Sequence, residues 1–221
     1  MGRAGLLVLA AIGLTACGSG VSDDTASEGT TTDGTTEEVV SLPPVANQDH
    51  WHAAYGFFSC GDGFLAPLQV QDDPVGIHTH GDGIIHIHPF TSAVSGPDAV
   101  LGVFLDSAGA AVDDEAIDVP GLSVREGEDT CGARDEPGVV QVAYWADART
   151  ASTTDPEIVT EDVSAVPFEQ DGSAYTVAFA PVGATVPPPP TIPVLDALSD
   201  VSASPAVPSS VPGLLTTTTS P

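Results

Sequence analysis

All six histidines of the chain lie between His50 and His88, in three His-x-His units: His50/His52, His78/His80 and His86/His88. Imidazole binds first-row transition metals through a neutral nitrogen and exchanges a proton near neutral pH, so such a cluster points to metal coordination or proton-linked switching. Side chains alternate between faces along a strand, so the two histidines of each unit point the same way. The segment from Ile77 to Phe90 reads as a hairpin around Gly81-Asp82-Gly83. A three-residue loop with Gly83 in a left-handed bulge position sets His78 opposite His86. All four imidazoles then emerge on one side, and Ile77, Ile85 and Ile87 form an apolar face on the other. A two-residue Asp82-Gly83 turn would shift the register by one and split both sets, so the first register is expected. Opposed Cβ atoms about 5 Å apart let two imidazoles meet one ion at bonds of about 2.0 to 2.1 Å.

His50 and His52 repeat the spacing at the start of the preceding apolar segment, Trp51 to Phe58. If that segment is a strand beside the hairpin, up to six imidazoles converge. Four would fill a closed tetrahedral site, whereas three would leave a position open for water or substrate. Asp49 and Asp82 are candidate acceptors that would fix an imidazole tautomer. Zinc or copper is the expected ion, because the only methionine is Met1 and soft Cu(I) coordination lacks ligands. The bland alternative is a polar sheet face whose histidines hydrogen-bond one another. Trp51, Tyr55, Phe57 and Phe58 read as core rather than as a ligand-stacking box.

The elements that must carry these groups read as an α+β domain over residues 49–182, a small, mainly antiparallel sheet with one helix. Strands are expected at Trp51 to Phe58, on both arms of the Val75–Phe90 hairpin, at Val139 to Trp145 and at Tyr175 to Pro181. Val100, Leu101, Phe104, Leu105 and Ala108 recur at helical spacing between Pro97 and Gly109. Residues 110–137 are acidic and turn-rich and read as long loops, with a strand near Ala116 to Val119. The order of hairpin, helix and late strands looks like a β-grasp. Cys60 and Cys131 read as one structural disulfide, with a pair of metal thiolates as the competing assignment.

Both ends read differently from the domain. Met1 and Arg3 precede an apolar run from Leu6 to Leu14, too short for a span of ~20 residues, so residues 1–16 read as a signal peptide. Leu14-Thr15-Ala16-Cys17 resembles the lipobox of bacterial lipoproteins. The resemblance implies cleavage before Cys17, acylation of that residue and anchoring at the outer face of the cell membrane. Residues 17–48 then form a Ser/Thr/acidic tether of roughly 30 Å root-mean-square reach. Residues 183–221, with Pro187 to Pro190 and the Thr216 to Thr219 run, read as a disordered tail.

Four arginines and no lysine against 31 acidic residues give a formal net charge of −27, which excludes a nucleic-acid binder working through a basic face. Asp-His-Trp-His-Ala-Ala-Tyr-Gly from Asp49 to Gly56, the His-x-His-Gly-Asp-Gly-x-Ile-His-x-His-Pro-Phe segment from His78 and the helix around Leu101 to Asp106 resemble exported proteins of actinobacteria. That resemblance implies export and carries no activity. Gly76-Ile77-His78-Thr79-His80 looks like the first copper-ligand strand of copper/zinc superoxide dismutases, but no histidine follows His88 to supply the later ligands. The metallo-β-lactamase pattern requires histidine where Gly83 stands, a cupin requires glutamate near Ile84 or Ile85, and an amidohydrolase barrel requires ~250 residues. No serine or cysteine sits in a recognisable triad motif. The expected function is therefore lipid-anchored metal capture, buffering or delivery. A metalloenzyme with an open three-histidine site and a metal-free pH-sensing module are the alternatives.

Overall fold

Aromatic and small residues make Trp51–Ser59 a nine-residue strand, β1, buried on both faces along most of its length. The remaining elements follow as β2 (Gly63–Phe64), β3 (Ile77–His78), β4 (Ile84–Ile87), α1 (Leu101–Ser107), β5 (Ala111–Val112), β6 (Ala116–Val119) and β7 (Leu122–Arg125). They continue with β8 (Thr130–Cys131), β9 (Glu136–Pro137), β10 (Val139–Trp145), β11 (Glu157–Val159), β12 (Ser173–Ala180) and α2 (Ile192–Ala197). The structure, a computed structural model, describes residues 42–69, 72–132 and 135–198. The signal segment, Cys17, most of the tether and the end of the tail lie outside these residues. No helix among them is long and apolar enough to cross a membrane.

The main sheet runs β11-β10-β12-β1-β4-β3, with β2 paired to β1. β1 and β12 are parallel, and their outer neighbours β4 and β10 are antiparallel to them. This is the mainly antiparallel α+β architecture expected, with the β-grasp order in its four central strands. Tyr55, Phe57, Ile77, Ile85, Ile87, Tyr175, Val177 and Phe179 supply one sheet face to the main core, where Leu101, Phe104 and Leu105 of α1 meet them. Parallel central strands buried on both sides carry near-continuous apolar sequence, and β12 is buried at every residue.

α1 starts later than its apolar spacing suggests. Pro97 belongs to a separate 3-10 turn, and Val100 is extended, bridging to Pro167 before the helix begins. The strand expected at Ala116 to Val119 is present as β6, whereas the expectation of loops around it is corrected by β5 and β7, which flank β6 in a three-stranded sheet, and by the β8-β9 hairpin. These strands are only two to four residues long, so their alternation is drowned by acidic turn residues.

The domain also extends past both expected boundaries. Asn47 N donates to Pro89 O at 2.8 Å and Gly96 N to Pro44 O at 2.9 Å, which ties residues 42–48 to the hairpin side. At the other end, residues 183–198 are a docked strap rather than free tail. Thr176 Oγ1 donates to Pro187 O at 2.9 Å, Thr191 Oγ1 donates to Tyr55 O at 3.1 Å, and Val186 and Leu195 are buried. The cause lies on the second face of the sheet. Ala54, Ile84, Ala143, Trp145, Ala174 and Ala178 present a shallow apolar surface that the strap removes from water. Gly83 permits the approach: its φ is +81°, and a Cβ there would lie 2.2 Å from Thr191 Cγ2.

Candidate metal centre

The hairpin adopts the even register. Ile77 pairs with Ile87 and His78 with His86, while Trp51 pairs with Ile87 and His52 with His86 across the β1–β4 boundary. His52, His86 and His78 therefore form a row across three adjacent strands, on the face opposite the isoleucine core. The same register sets His50 beside His88 in the next row, and His80 stands at the turn above His86.

The rings close a circuit. Centroids lie 4.7 Å apart for His50–His52, 5.2 Å for His50–His88, 5.0 Å for His88–His78, 4.9 Å for His78–His80, 4.5 Å for His80–His86 and 4.7 Å for His86–His52. All six expected histidines are thus brought together. Two groups among the described residues hold ligand atoms within 4.8 Å of one another: His50/His52/His86 and Asp73/His78/His88. His52 is fully buried, His50 and His80 are exposed, and His78 and His86 are mostly covered.

Asp49 Oδ2 accepts from Val45 N at 2.6 Å and so closes a turn. Asp82 Oδ1 accepts from Ile84 N at 3.0 Å within the turn, and its Oδ2 lies 3.9 Å from His86 Nε2. The close partner is Asp73, whose Oδ2 is 2.8 Å from His78 Nδ1. Gly76 N donates to Asp73 Oδ1 at 2.6 Å, which fixes the loop just ahead of β3. Gly76 has φ +84°, and its O accepts from His88 N at 2.8 Å. Asp171 binds His52 N through Oδ1 at 2.7 Å. Sequence reasoning misses both Asp73 and Asp171: each sits in a turn whose only local signal is Asp followed by Pro or Gly. Cys60 and Cys131 are joined in a disulfide, so neither sulfur is available as a thiolate ligand.

Burial pushes the imidazoles of His78 and His88 below the usual histidine range and takes His86 down to about 4, assisted by neighbouring rings. Metal binding requires neutral imidazole, and these groups are held in that form in neutral solution. The linkage has a definite sign. The unfolded chain binds these protons near pH 6.5 and the folded protein only at lower pH, so this contribution is complete above about 6.5 and is lost as pH falls toward 4. Asp171, raised by desolvation, acts oppositely at the acid end. Metal-free protein should therefore show a melting temperature that declines from pH 7 to pH 4.5, and thermal scans in that window check it. A flat or rising profile would refute the buried-neutral assignment.

No protein-family model, curated protein or solved structure matches the chain. The case for function rests on the site.

Proposed function

We propose that this chain is a lipid-anchored, extracytoplasmic protein that captures, buffers or delivers zinc or copper. The observation that carries the reading is the closed circuit of six imidazoles, arranged so that two ligand groups each span no more than 4.8 Å. Imidazole-rich sites suit Zn(II) and Cu(II), and neutral imidazole is the form that binds them. The lipobox-like Leu14 to Cys17 and the Cys60–Cys131 disulfide support an oxidising compartment outside the cytoplasm. A metalloenzyme is the second reading, favoured by one observation: each group has three protein ligands, the number that leaves a coordination position open in catalytic zinc sites.

Metal analysis of the chain purified without added metal should find zinc or copper. The double variant His78→Ala, His86→Ala should fold, since the isoleucine face is untouched, yet lose tight binding of either ion. Wild-type protein at free Zn(II) one hundred times its Kd should gain about 2.7 kcal/mol, and the variant should gain little. Equal stabilisation of both would sink the reading. The anchor has its own check. Cys17→Ala should abolish lipid labelling and move the protein out of the detergent phase, and unchanged labelling would remove the anchor from the proposal.

A further inference from the structure

The six imidazoles do not converge on one point. His52 and His86 lie side by side with His50 next to His52, whereas His78 and His88 stand 5.0 Å apart by ring centroid on the other side of the circuit, toward Asp73. A tetrahedral ion with bonds of about 2.0 to 2.1 Å holds its ligand atoms about 3.3 Å apart. The described geometry approaches that demand twice, once in each three-residue group, and the two groups share no ligand. They also differ in kind. His50/His52/His86 is neutral and wholly nitrogenous, whereas Asp73/His78/His88 brings an anionic oxygen.

We propose that the cluster binds two divalent transition-metal ions side by side, one held by His50, His52 and His86, the other by Asp73, His78 and His88. The inference rests on the metal-binding reading above and deepens it. Asp73 is already 2.8 Å from His78 Nδ1, so widening that contact by about 0.5 Å admits an ion between them. The loop before β3 holds this carboxylate in place, because Val75 N and Gly76 N both donate to Oδ1, at 3.2 and 2.6 Å, while the other oxygen points at His78. The two groups face each other through His50–His88 at 5.2 Å and His78–His86 at 5.5 Å, so the ions would be neighbours. His80 Nε2 lies 3.2 Å from His78 Nε2, the ring nitrogen opposite the one that meets Asp73, so His80 belongs to neither ligand group. The mixed nitrogen and oxygen set is of the two-histidine, one-carboxylate composition that accepts Fe(II) or Zn(II) with positions left open, whereas the all-imidazole set favours Cu(II) or Zn(II).

Zn(II) titration of the metal-free, purified full chain by calorimetry tests the count, and Cu(II) electron paramagnetic resonance tests the proximity. Wild type should take two equivalents of Zn(II), and two bound Cu(II) ions should show dipolar broadening that one equivalent lacks. Asp73→Asn and His88→Ala should each leave one equivalent, as should His50→Ala. None of these three residues is buried, and matching melting temperatures of the metal-free variants would show that folding is intact. One equivalent in wild type overturns the two-ion inference and leaves metal capture standing. Two equivalents without dipolar coupling overturn it by placing the second ion elsewhere. Two equivalents retained in Asp73→Asn overturn the assignment of Asp73 as a ligand and leave it only an orienting role at His78. No binding in wild type overturns metal capture itself.

Discussion

Ile85→Asp is expected to prevent folding altogether. Ile85 is fully buried in the main core, one residue from His86 but on the opposite face of β4. Removing its side chain from a packed interior costs about 2 to 5 kcal/mol by itself, and a carboxylate left there without a partner adds several more. The sum reaches the whole stability of an ordinary domain, about 5 to 15 kcal/mol. Far-UV circular dichroism and soluble yield provide the measurement. His86→Ala serves as the contrast: its neighbouring position faces the imidazole cluster, so the variant should remain folded while its metal affinity falls. A folded Ile85→Asp protein with a wild-type melting temperature would mean that the two faces of the hairpin have been assigned the wrong way round.

The second large effect concerns the disulfide. Cys60, just past β1, is bonded to Cys131 in β8, with a sequence separation of 71. Closing a loop of that length in the unfolded chain stabilises the native state by about 4 kcal/mol in the chain-entropy account. For a domain of this size that corresponds to a fall of roughly 10 °C in melting temperature when both cysteines become serine. The same variant should bind as much Zn(II) as wild type below its melting temperature, because no sulfur belongs to either ligand group. Thermal scans with and without reductant check the first half, and metal titration checks the second. Loss of metal with little loss of stability would restore the thiolate assignment.

What can be read from the sequence follows the range of the interaction that produces it. The hairpin register is legible because a period of two allows only one arrangement in which Ile77, Ile85 and Ile87 share a face, and the pairing of His78 with His86 follows from it. Cys17 falls in the lipobox-like segment, and the two cysteines outside it leave one pairing to choose. Asp73 is not legible, because its place beside His78 depends on the path of a loop rather than on strand alternation. The strap over residues 183–198 escapes for a related reason. Proline-rich sequence signals an extended chain, and whether that chain docks depends on an alanine-lined face made by distant strands. The parallel pairing of β1 with β12 is likewise a long-range contact that leaves no local mark beyond two apolar runs.

That pairing has a consequence for the time at which the site comes into being. All six histidines lie in the first half of the chain, yet His52 is bonded through its backbone to Asp171 and Gly172, 119 and 120 positions later. β1 has no parallel neighbour until β12 exists, and contacts of such sequence separation form late and slowly. A growing chain that has emerged only as far as His88 carries every imidazole but lacks the sheet that aligns them. The nascent chain thus carries unaligned imidazoles, and the two candidate ligand groups are a property of the finished protein.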